Sequence, residues 1–329
     1  MNAYAKSGLT LAGVVLALAL YFALRLALAD GMFTPIDPVL PVCGPIAQGL
    51  GGANDLESDP GHGAMFLSAQ SGLYRLALSN TAAAPVKLAG APGDLHSVGI
   101  SFYRDIDGNQ TLMAIDRSAA GRYAVATFAL SPDGTTLSQR LMIQGGLLVS
   151  PTDLAALSAD RFYVGNDHSG RNAWVRFAED DLLLPHADVI LFNGRGLRDA
   201  VQRVASAHGV LATPDGRFLY VAANSGRQLL AFSIENFTGN LTQLQSLSLP
   251  ARLEKISMDD KGNLIVAGRT KPGSAQVFRI KLGADGVPMS YETLFSDDGH
   301  TLSAANAAIV QGGHLIVVGD NKILDCAIK

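Results

Sequence analysis

Little in this chain announces its chemistry directly. Cysteine is nearly absent, with two residues in 329. Cys43 and Cys326 bracket almost everything after the N-terminus. In a reducing compartment they would be unrelated free thiols, whereas in an oxidising one they can join the two ends of a single domain. Charge is also sparse: 16% of residues are charged and the net charge is −4. No basic field is present to attract nucleic acid or an anionic surface, so a nucleic-acid partner is excluded. The sequence has no G-x-S-x-G elbow, no P-loop and no H-E-x-x-H helix, so these three local routes to nucleophilic, nucleotide or zinc chemistry lack support. Beyond residue 30 no long amphipathic helical period occurs; a short one near Gly196–Ala205 is the exception.

The N-terminus and the glycine content are what the chain does have. Lys6 precedes an uncharged run over residues 7–24, interrupted by Arg25 and continued by Leu-Ala-Leu-Ala-Asp. Eighteen residues lie near the lower limit for crossing a bilayer at about 1.5 Å per residue, and Arg25 can snorkel to extend the span. The pattern predicts a cytoplasmic segment 1–6, a transmembrane anchor at 7–29, a connector at 30–42 and a globular domain at 43–329. The domain would then be extracytoplasmic, periplasmic or extracellular, and tethered to a membrane. The alternative is a cleaved signal segment, because Ala27-Leu28-Ala29 has the small-x-small form, and the domain would then be secreted.

The 35 glycines suit a fold of many short strands and turns. Apolar strands recur behind polar and glycine turns, most clearly over residues 208–234, where Pro214-Asp215-Gly216 separates two strand patterns. Weaker copies start near 54, 98, 152, 254 and 306. A spacing of about 44 to 56 residues matches four-stranded propeller blades, so six copies predict an all-β, six-bladed β-propeller with an N-terminal membrane helix. The rival reading, a β-sandwich or two small β domains, does not account for the regular spacing. A propeller must join its first and last blades, and a Cys43–Cys326 bond would fasten the incoming strand to the outgoing one.

In such a fold the innermost strands begin near a central channel, and their starts converge. Those positions hold Asn54 and Asp55, His96 with Val98-Gly99-Ile100, Thr152 and Asp153, His208, Glu254 with Lys255, and Asn306. Asp55 and Asp153 occupy equivalent places, and paired carboxylates suit calcium, which binds oxygen at about 2.3–2.6 Å; the plainer alternative is that each caps backbone amides. His208 and Glu254 suit a base or a softer metal, or else a hydrogen-bonded structural pair. Asn166-Asp167-His168 reads as a loop on the top face. Asp105, Asp107, Gly108 and Asn109 resemble an acidic calcium loop without its final glutamate and read as a surface turn.

These segments, above all Asn54–Glu57, Val98–Ser101, 150–168, 208–222 and 253–268, together resemble the serum paraoxonase/arylesterase family within the gluconolactonase-like calcium-dependent propellers. The resemblance implies the six-bladed fold, the end-to-end disulfide and an N-terminal hydrophobic segment. It implies a structural calcium held by Asp55, Asp153 and the carbonyl of Ile100. A second, catalytic metal would fall on Asn54, Thr152, His208, Glu254 and Lys255, where this sequence departs from the family's ligands. The family's histidine pair falls on Val98 and Arg117, and another tunnel-mouth histidine falls on Arg269.

Two functions stand open on this basis. One is a divergent hydrolase of small esters or lactones, with His96 or His208 as base, and a metal or Lys255 stabilising the developing oxyanion. The other is a non-catalytic, calcium-stabilised propeller that serves as a membrane-tethered binding module. The sequence names no protein partner.

Overall fold

The computed structural model describes residues 3–46, 50, 52–69, 71–80, 84–119, 122–320 and 322–328. Six four-stranded sheets follow one another along the chain. Their innermost strands are Ala53–Asp59, Ser97–Arg104, Pro151–Ser158, Ala207–Ala212, Arg252–Met258 and Ala307–Gln311, which begin blades 1 to 6 and lie within two residues of the starts expected from the repeats. This is a six-bladed propeller.

Each blade is sandwiched between two others, and that explains its strand composition. In Phe218–Ala223, the second strand of blade 4, Leu219, Val221 and Ala223 pack towards blade 3. Tyr220 and Ala222 on the other face pack towards blade 5. Side chains alternate between faces with period two, and here both faces are buried, so the strand is a continuous apolar run. The outer strand Leu241–Ser248 reaches solvent and turns polar.

The sixth blade is completed by the start of the domain. Val42–Ile46 pairs antiparallel with Ile323–Ala327, and Cys43 lies directly opposite Cys326. The two are disulfide-bonded across a sequence separation of 283 residues, so the ring is closed by a ladder and a covalent bond together.

Two local expectations change. The period near Gly196–Ala205 belongs to a strand, Leu197–Val204, at the outer edge of blade 3. Register shifts in its pairing with Ala187–Phe192 break the alternation. Leu197, Val201 and Val204 therefore fall at helix-like intervals. A real helix, Ala173–Asp181 (here αB), is inserted between the second and third strands of blade 3, with Asn172 capping the Val175 amide at 3.0 Å.

The N-terminal segment is a helix, Ala3–Ala29 (αA). The expected membrane helix is corrected, because among the described residues no helix is long and apolar enough to cross a membrane. Side chains of αA are described only from Ala12 to Leu28, and that stretch includes Arg25; a bilayer core requires about 20 apolar residues. The membrane-tethered, extracytoplasmic placement and the membrane as a partner lose their support with it. Met1, Asn2 and the side chain of Lys6, in the expected cytoplasmic segment, lie outside the described residues, as does Lys329. After αA the chain returns to the propeller, where Asp30 meets Arg252 at 2.8 Å.

Opening the covalent closure should weaken the ring without dissolving the blades. Cys326→Ser is expected to lower stability by about 3–5 kcal/mol, the range for loss of a long-loop disulfide, with a retained β-sheet circular dichroism spectrum. An unchanged melting temperature would show that strand pairing alone closes the ring.

Candidate functional site

Five of the six innermost strands carry a register shift near their start, between Ala53 and Asp55, Ser97 and Ile100, Pro151 and Asp153, Ala207 and Gly209, and Leu253 and Ile256. A β-bulge bends its strand and re-aims side chains. It allows neighbours such as Thr152 and Asp153, or Glu254 and Lys255, to escape strict up-and-down alternation. The strands also crowd together. A Cβ on Gly99 would lie 2.6 Å from the Thr152 carbonyl oxygen, and one on Gly209 would strike the Glu254 carbonyl. Only glycine lets these neighbouring blades approach so closely.

Inside this crowded centre lies a cluster of charges. The Lys255 ammonium donates to the Thr152 carbonyl at 2.6 Å and meets Asp153 Oδ1 at 2.8 Å and Asp55 Oδ2 at 3.6 Å. The other carboxylate contacts are backbone amides. Asp55 accepts from Leu56 at 2.9 Å and Ile100 at 2.9 Å, and Asp153 accepts from Val210 at 2.8 Å. All three charged side chains are almost wholly buried. Burial pushes the Asp55 carboxyl up to about 7, against the downward pull of Lys255. Burial, then Asp55 and Asp153, raise Glu57 well above its usual value. For Lys255 burial acts downward, but Asp153 and Asp55 outweigh it and hold the ammonium charged.

The residues expected to hold a structural calcium are thus already engaged. Each oxygen of Asp55 and Asp153 has a protein partner, and a lysine nitrogen stands among them. The donor set present does not fit a metal ion at the same place. The expected second metal set is dispersed in other bonds. Asn54 Nδ2 donates to the Ser97 carbonyl at 3.3 Å. Thr152 Oγ1 faces the Gly165 and Ala207 carbonyls at 3.3 and 3.2 Å. Among the described residues no group of three or more His, Cys, Asp or Glu side chains is placed to hold a metal ion, which corrects the metal-binding expectation.

Nearer solvent, His208 Nε2 meets Glu254 Oε2 at 2.7 Å, joining the starts of blades 4 and 5. Asn224 steadies the other oxygen of Glu254 at 3.2 Å and bonds to the Leu253 carbonyl at 2.7 Å. Burial acts to lower His208, but Glu254, with help from Asp167, raises it above 6.5. Burial acts to raise Glu254, and His208 overrides it, so the carboxyl sits below its usual range. The pair is partly open, with 29% and 14% of the two side chains exposed.

The other candidates are placed differently. His96 is exposed at the start of blade 2. Its amide points to Asp116 at 3.4 Å and its carbonyl accepts from Arg117, and no contact among the described residues joins its ring to His208 or Glu254. Arg117 binds the Pro151 carbonyl at 3.0 Å and stacks on Tyr123. Asp167 and His168, expected in a loop on the top face, are buried. His168 lies between Asp167 at 2.9 Å and Asp180 at 3.0 Å, and the Asn172 cap before an apolar-polar helical run was the signal for the helix that brings Asp180 there. Although burial opposes its charge, the two carboxylates that its ring nitrogens face raise His168 to about 9. Burial likewise opposes ionised Asp167, yet the bond from His168 brings it down to about 2.

A raised folded-state pKa gives stability that is complete below the unfolded value and is lost as pH rises through the folded one. The His168 contribution should therefore be full below 6.5 and decline as pH rises to about 9. Melting curves of the wild type and His168→Gln between pH 6 and 10 are expected to converge on the alkaline side. A constant gap would show that the histidine acts only by packing.

A model of the arylesterase family matches residues 59–328, which begins just after Asn54 and Asp55. Human serum paraoxonase/arylesterase 2 is 26% identical over 235 residues, covering 67% of this chain and 64% of that protein. The match thus spans less than two thirds of that relative's length. Rat serum paraoxonase/arylesterase 1 is 26% identical over 347 residues, covering 94% and 95% of the two chains. Among solved structures, a gluconolactonase from Xanthomonas campestris superposes with a TM-score of 0.55 at 15% identity, covering 90% of this chain and 99% of that one. A calcium-binding protein, regucalcin, from Agrobacterium tumefaciens superposes with a TM-score of 0.52 at 11% identity, covering 87% and 91%. The likeness to these structures concerns the fold, and the sequence matches carry the relationship: this six-bladed propeller belongs to the arylesterase family as a divergent member related to the serum paraoxonases.

Proposed function

We propose that the chain hydrolyses small esters or lactones at the mouth of its central channel, with His208 as general base and Glu254 as the group that orients it. Family membership supports the reaction class, since relatives carry the names arylesterase and lactonase. The observation that carries the assignment of residues is the 2.7 Å contact between His208 Nε2 and Glu254 Oε2, partly open to solvent. With Nε2 committed to Glu254, Nδ1 is the nitrogen left to take a proton from water. The water oxygen then bonds to the substrate carbonyl carbon and the bond to the leaving oxygen breaks. The proton passes from His208 to that oxygen, giving an acid and an alcohol, or a hydroxy acid from a lactone. Lys255 is not given the oxyanion role, because its ammonium is buried against Asp153 and Asp55.

One fold neighbour is named as a calcium-binding protein, but no step of this proposal is routed through a metal. A second reading, a non-catalytic binding module, draws support from the engagement of Asn54, Thr152 and Lys255 in bonds to other protein atoms.

A screen of aryl esters and lactones distinguishes the two. Turnover should fall about 10²-fold or more in His208→Ala, the usual scale for loss of a general base. The base must be neutral, so kcat/KM is expected to rise with pH along a limb above 6.5. In Glu254→Gln the limb should move to lower pH while the maximal rate falls, which a purely structural role would not produce. Unchanged turnover in both variants would remove the assignment, and no turnover across the screen would favour the binding module.

A further inference from the structure

Two buried carboxylates on different blades demand a cation, because an uncompensated buried charge is strongly destabilising. Asp55 projects from the first blade and Asp153 from the third. Each is already tied to the following blade through its backbone, Asp55 to the Ile100 amide and Asp153 to the Val210 amide. Their remaining demand converges on one place, and Lys255 of the fifth blade brings its ammonium there, 2.8 Å from Asp153 and 3.6 Å from Asp55. A third oxygen comes from the Thr152 carbonyl at 2.6 Å. The ammonium is within hydrogen-bond distance of the Thr152 carbonyl and Asp153, and Asp55 at 3.6 Å completes the seat as an ion-pair contact. The sixth blade joins through Asn306, whose carbonyl accepts from the Lys255 amide at 3.3 Å and whose side chain donates to the Ala53 carbonyl at 3.4 Å.

We propose that Lys255 is a covalently built-in replacement for a central metal ion, and that this propeller is held together at its axis without calcium. The seat admits one cation. A calcium ion bonds oxygen at about 2.3–2.6 Å, so calcium on the same Asp153 and Thr152 oxygens would lie where the lysine nitrogen lies. The lysine carries half the charge of calcium but pays no binding equilibrium, because folding delivers it. The wild type should therefore be indifferent to chelators, whereas removal of the ammonium should uncover a latent divalent site made of Asp55, Asp153 and the Thr152 carbonyl. This inference is independent of the hydrolase proposal, since neither His208 nor Glu254 takes part in the seat.

The test is thermal unfolding of the full chain in chelator and in excess calcium, with metal content measured by mass spectrometry. The wild type is expected to carry no stoichiometric calcium and to melt at the same temperature in both. Lys255→Asn opens the seat and adds an amide oxygen. It should melt on the order of 10 °C lower in chelator, as expected for breaking a buried pair, recover much of that loss in calcium, and bind one calcium per chain. Stoichiometric calcium on the wild type, or a wild-type melting temperature that falls in chelator, would overturn the proposal. So would a Lys255→Asn protein that melts like the wild type in chelator or gains nothing from calcium. If that variant cannot be recovered folded, the wild-type arm decides alone.

Discussion

A single buried ammonium sets the terms for the centre of this propeller. Six blades pack well against one another laterally, since each junction has its own apolar cluster. Lateral packing does not by itself fix how the innermost strands meet at the axis, where polar backbone and charged side chains face each other almost wholly buried. There Lys255 reaches Asp153 and Asp55, while their amide contacts draw in the second and fourth blades. Burying charge is costly unless it is compensated, and here each carboxylate accepts from backbone amides while the ammonium stands between the two. The glycines at 99 and 209 belong to the same arrangement, for they allow the strands to come close enough for these contacts.

The open end of the channel is built from the same strands by a small shift in geometry. Glu254 and Lys255 are consecutive, yet one reaches a partly exposed histidine and the other a buried pair of aspartates. The irregular register between Leu253 and Ile256 makes that division. Scaffold and candidate catalytic pair are therefore linked through one bulge, and disturbance of the buried lysine should be felt at the mouth. At the rim the Cys43–Cys326 bond and the strand that carries Cys43 resist opening of the ring from outside, much as the lysine does from within.

The blades were legible in the sequence because each repeats the same physical problem: a polar turn, then a run buried on both faces. Asn54, Asp55, Thr152, Asp153, His208, Glu254 and Lys255 were legible as residues near the axis for the same reason. Their partners were not. Lys255 read as a cation at a metal position or as an oxyanion stabiliser, because spacing cannot show how far a four-carbon side chain descends or which carboxylates it meets. His96 read as a channel histidine because it precedes a blade start, but it stands one residue ahead of the strand and outside the bulge that turns side chains inward. The αB helix was hidden because it is a short insertion within one blade and, among the described residues, no other blade carries an α-helix. The segment over residues 7–24 read as a membrane span from composition, and the described part of αA falls short of one.

Which cation occupies the axis is tested most directly by a high-resolution crystal structure of the wild-type chain grown in calcium. The expected result is density for the Lys255 side chain extended between Asp153, Asp55 and the Thr152 carbonyl, with no anomalous peak at that place. A calcium peak ligated by Asp55 and Asp153, with Lys255 turned away, would contradict the account.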